Sequence, residues 1–122
     1  MKYFFYTMLS LFVLASCKTS KNYLSRSDSD NTIFDAVKTL KKYSTDTAAL
    51  NALPVLYNTA LQRNLRKINS YSSSRELSRW DKIIDGYNTL QEMHDAIIEV
   101  DAASRLVTPV DYRQTIYDLQ QQ

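Results

Sequence analysis

One cysteine, one glycine, one histidine and two prolines stand among the 122 residues. A single thiol can neither close an intrachain disulfide nor build a cysteine zinc site. So few turn formers argue against an all-β fold with its many tight turns, and no glycine-rich loop is present to cradle a phosphate. One histidine and no spare thiol leave few constellations for catalysis, so the expected reading is not an enzyme, with no catalytic residue, no cofactor and no metal. What remains is helix. The expected fold class is all-α, made of antiparallel helical hairpins or a small helical bundle.

Long apolar runs are equally scarce, and the one that exists lies at the start. Lys2 is followed by an almost wholly apolar stretch from Tyr3 to Val13 and then by small residues. That is the layout of a secretory signal, and the run is shorter than the roughly 20 apolar residues that a membrane span needs. It ends in LFVLASC. Leu14, Ala15, Ser16 and Cys17 resemble the bacterial lipobox, which implies a cysteine alkylated with diacylglycerol, cleavage before it and acylation of the new amino terminus. The expected organisation is therefore a signal peptide over 1–16, a lipidated cysteine and flexible tether over 17–30, and a helical domain over 31–122. Its first partner is a membrane, reached through the lipid anchor.

The tether reading rests on KTSKNYLSRSDSD, polar, serine-rich and aperiodic. Asp28-Ser29-Asp30 opens like a calcium loop, but Ile33 stands where the sharp turn needs glycine and Thr39 where a bidentate glutamate belongs. Lys18, Thr19 and Ser20 carry no acidic pair of the kind that resembles surface-export signals. The expected location is the cell envelope, on the outer membrane facing the periplasm.

Charge is unevenly spread. From Cys17 to Arg79 eleven Lys plus Arg face five acids, a net +6, whereas from Trp80 onward three face eight, a net −5. Such halves attract each other or form opposite faces. Nucleic acid is not an expected partner, because no recognition motif accompanies the basic half.

Helical periodicity begins near Thr32 with Ile33, Val37 and Leu40. Ser44-Thr45-Asp46 offers the N-cap of a second helix over about 47–71, with Pro54 either kinking it or lying in the first turn of its main part. A third helix is expected over about 75–103. A fourth is expected to open at Thr108-Pro109-Val110-Asp111, where threonine can cap and proline suits the first position.

In the third helix Trp80, Ile83, Tyr87, Leu90, His94, Ile97 and Ile98 gather on one side, and Asp81, Asp85, Glu92, Asp95 and Glu99 on the other. The first set reads as a core face, with His94 a buried histidine holding a local hydrogen bond. The acids, with Arg63, Arg66 and Lys67 of the second helix, form the expected interaction face.

Trp80, Ile83, Tyr87, Ala96, Val100 and Ala103 fall at W-x2-L, Y, A-x3-F and A of the tetratricopeptide repeat, over about 34 residues. The segment resembles one degenerate helical-hairpin repeat, or a long helix that mimics one. The resemblance places the turn of that hairpin at Gln91 to Met93 and puts Ile84 at the pattern's glycine. With NALPVLYNTALQRNLRKINSY and SRWDKIIDGYNTLQEMHDAI behind a lipobox, the chain is similar to uncharacterised helical lipoproteins of Bacteroidota envelopes. The function this implies is a membrane-anchored, non-catalytic helical protein-interaction module with an envelope protein as partner. The alternative is a carbohydrate or small-ligand binder using exposed aromatics. The last helix carries Val110, Ile116, Tyr117 and Leu119 but reaches Gln120-Gln121-Gln122 without a terminator. Hence the domain is expected either to be incomplete at its C-terminus, with self-association to cover that helix, or to close when the helix folds back on the third.

Overall fold

The computed structural model describes residues 22–122. The signal, Leu14, Ala15, Ser16 and the lipidation site Cys17 lie outside the described residues.

The described residues are all-α. Five helices pack together: α1 (Asn31–Lys42), α2 (Thr47–Ser72), α3 (Arg79–Glu99), α4 (Asp101–Ser104) and α5 (Arg113–Gln120). In α1 the buried positions Thr32, Ile33, Ala36, Val37 and Leu40 form one stripe, and Lys41 and Lys42 suit its negative C-terminal end. Asp46 caps α2 by accepting the Ala49 N–H at 3.0 Å. The apolar stripe of α2 then runs through Ala49, Ala52, Leu53, Leu56, Tyr57, Ala60 and Ile68. Pro54 lies inside this helix on its exposed side, where the carbonyl left without an N–H partner can turn to water.

Short connections at 43–46 and 73–78 make α1, α2 and α3 successive antiparallel neighbours. Ile83, Leu90, Met93 and Ile97 of α3 complete the core against α2. The two helices come close at Gly86, where an added Cβ would stand 2.6 Å from Ile68 Cγ1.

Part of the segment expected as tether is packed. Tyr23 is only 2 % exposed, and its hydroxyl lies 2.7 Å from Thr39 Oγ1. A single 3-10 turn, Leu24–Arg26, follows, and the Arg26 carbonyl accepts from the Thr32 hydroxyl at 2.6 Å. Arg63 of α2 donates to the Ser27 carbonyl at 2.8 Å and pairs with Asp30. One buried aromatic ring outweighs the polar composition around it.

The expected third and fourth helices differ from the periodic reading in their bounds, the third starting at Arg79 and not near 75. Helix α3 stops at Glu99, because an extended Val100 turns the chain so that Val100, Ala103 and Val107 are all buried. Of the two alternatives for the tetratricopeptide spacing, the long helix is the one seen, since Gln91 to Met93 lie inside α3 with Leu90 and Met93 fully buried. The last helix begins at Arg113 instead of Thr108. The Val110 N–H donates to the Tyr57 hydroxyl at 2.9 Å and the Tyr112 N–H to Gln91 Oε1 at 2.6 Å, bonds to the core that hold the chain out of a helix. Asp111 then receives the Arg113 N–H at 3.0 Å, and α5 folds back on α3 with Ile116 and Leu119 half-buried.

Candidate functional site

The five acids of α3, Asp81, Asp85, Glu92, Asp95 and Glu99, are all exposed, as their spacing implies. Three of them meet other groups of the fold. Glu99 reaches across to Lys41 at 3.4 Å, an exposed pair of little energetic weight. Asp95 turns to His94, and Asp85 enters the cleft between α2 and α3.

The basic residues divide similarly. Arg63 is half-buried and engaged with Ser27 and Asp30, so it fastens the N-terminal segment to α2. Arg66 and Lys67 are exposed. Lys67 lines the same cleft as Asp85, together with Asp30, Asn64, Tyr71, Lys82, Gly86 and Thr89. Its volume of about 200 Å³ is below that of typical small-molecule sites. Gly86 lies in its wall, where the missing side chain lets Ile68 of α2 come close. Asn64, buried, spends its amide on Asp30 at 3.2 Å and on the Ala60 carbonyl at 2.8 Å.

His94 is buried and locally bonded. Its Nδ1 lies 2.9 Å from Asp95 Oδ1, and because a carboxylate only accepts, Nδ1 carries the proton. Gln91 donates to the same oxygen at 3.0 Å while its carbonyl oxygen accepts from Tyr112. The cluster therefore ties α3 to the segment leading into α5. At that junction the Arg113 guanidinium, hydrogen-bonded to Asp111, holds the Asp111 carboxyl well below the usual carboxylate range. Burial pushes the Tyr112 hydroxyl upward, and its ring packs against Tyr87 with centroids 5.2 Å apart. The lining of the α2–α3 cleft does not include His94.

Two residues placed on the core face lie outside it. Ile98 is 50 % exposed and Trp80 is 43 % exposed, with the Arg79 guanidinium 5.1 Å from the indole centre. Trp80 lies in the first turn of α3, three residues after Leu77 of the connection, which is fully exposed. The periodic reading passed over Leu77; an isolated leucine in the polar run SSSRELS is the signal that marks it.

Comparison with known protein families, curated proteins and solved structures finds no match.

Proposed function

We propose that the chain is a lipid-anchored, non-catalytic helical module of a bacterial cell envelope that binds another envelope protein. The observation that carries this reading is a signal-type run ending in Leu14-Ala15-Ser16-Cys17 directly ahead of a packed helical fold. Burial favours binding over catalysis, because His94 is spent on Asp95 and its neighbours. The exposed charges Arg66, Lys67, Asp81, Asp85 and Glu92 supply a polar contact surface of both signs. Its place is the outer membrane, facing the periplasm, in a lipoprotein similar to those of Bacteroidota.

Sugar binding through stacked aromatics is the second reading, and the α2–α3 cleft with Asp30, Asn64, Tyr71, Asp85 and Thr89 is what favours it. Against it, the aromatic pair among the described residues, Tyr87 with Tyr112, is half-buried.

Photo-crosslinking in intact envelopes tests the proposal. A probe at Glu92 should give one discrete protein adduct that Asp85→Lys, one heptad away on the same face, weakens, while a probe at exposed Asn58 of α2 should not. The same diffuse adducts from both positions would reject a specific protein partner.

A further inference from the structure

The connection between α2 and α3 is a braced point. Arg79 donates to the Ser74 carbonyl at 3.0 Å, the Glu76 N–H donates to the Ser74 hydroxyl at 3.2 Å, and the Ser74 N–H donates to the Tyr71 carbonyl at 3.0 Å. Lys82 reaches back to Glu76 at 2.6 Å, and the carboxylate holds its ammonium above the ordinary value. These bonds fix the turn while leaving Leu77 wholly in water and Trp80 partly so. An apolar pair held outward by polar bonds on every side is not a folding requirement, since the core of α2 and α3 closes without it.

The charge around that point is mostly basic, Arg75, Arg79 and Lys82 against Glu76 and Asp81. Glu76 is neutralised by Lys82, whereas among the described residues Arg75 and Arg79 form no ion pair. Asp81, the remaining acid, lies about 200° around α3 from Arg79 and so faces away from it. Leucine at the apex, tryptophan behind it and arginines around both match the layers of a bilayer boundary: acyl chains, interface and anionic phosphates.

We propose that Leu77 and Trp80 insert into the interface of a bilayer containing anionic lipid, with Arg75 and Arg79 on the headgroup phosphates. This gives the folded part a membrane contact of its own. It rests on the reading of the chain as membrane-anchored, and it would hold the helices at a fixed orientation to the surface.

Trp80 is the only tryptophan in the chain, so its fluorescence reports this site alone. The full chain is mixed with vesicles of phosphatidylcholine, with or without phosphatidylglycerol, carrying bromine on the acyl chains. Trp80 emission should shift to the blue and be quenched, more strongly with the anionic lipid. Leu77→Ser should lower the docked-to-undocked ratio about tenfold, the order expected for keeping one leucine side chain in water. Arg75→Glu should weaken docking on anionic vesicles and leave the neutral ones unchanged.

Co-sedimentation of the chain with vesicles while Trp80 stays unshifted would overturn the docking and leave the anchor standing. Neither sedimentation nor quenching would overturn both. A blue shift that grows with protein concentration without lipid would assign the tip to a second copy, and one that needs protein-bearing envelope fractions would assign it to a protein; either overturns the proposal.

Discussion

Gly86 shows how one residue can decide a helix crossing. A glycine inside a helix ordinarily costs about 0.5–1 kcal/mol against alanine. Here the alanine methyl would stand 2.6 Å from Ile68 Cγ1 and 3.1 Å from its Cδ1. Ile68 is buried and, being β-branched, stiff at the first torsion, so it cannot swing aside cheaply. Overpacking of this kind costs about 1–3 kcal/mol, which exceeds the propensity gain. Gly86→Ala should therefore destabilise by about 1 kcal/mol in urea unfolding, and the sign should reverse in an Ile68→Ala background, where the obstruction is gone. A stabilised Gly86→Ala in the parent chain would show that the helices are not in such close contact. The sequence displayed this glycine but not its purpose, because the atom it makes room for belongs to another helix. Tyr23 was illegible for the same reason: its neighbours KNYLSRSDSD are polar, and the partner that anchors it, Thr39, is remote in sequence.

At the scale of elements, periodicity was the strong signal. The stripes of α1 and α2, the Asp46 cap and the exposed acids of α3 all follow from the spacing of apolar and charged residues. A spacing tells which side of a helix turns inward, not how far its neighbour extends. That is why Trp80 and Ile98, which the spacing put with the core face, stand half in water near the two ends of α3. Cap chemistry is similarly local: Thr108-Pro109 suits a helix start, yet the amides of Val110 and Tyr112 find better partners in Tyr57 and Gln91. The faces of α3 give a paired prediction. Leu90 has no exposed surface, so Leu90→Ala should cost about 2–5 kcal/mol. Glu92→Ala on the solvent side should stay within about 0.5 kcal/mol. Equal losses in thermal unfolding would mean that the two faces had been exchanged.

For the whole molecule, the fold and the proposed role depend on different parts of the chain. The helices account for packing and for a surface with an apolar, basic tip and an acidic flank. No helix among the described residues is long and apolar enough to cross a membrane. In the proposed role attachment falls to the segment ending at Cys17, where several acyl chains on one residue would hold stably, since two such signals anchor where one does not. The proposed interaction surface was only partly legible, because charge spacing exposed the acids of α3 but could not show that Arg63 turns inward to Asp30 or that Leu77 projects. The central claim is membrane attachment through that cysteine, and mass spectrometry of the protein from cells fed labelled fatty acid addresses it directly. The expected result is a mature chain that begins at an acylated Cys17, with the label lost in Cys17→Ala; an unlabelled protein, or one that retains Met1, would contradict it.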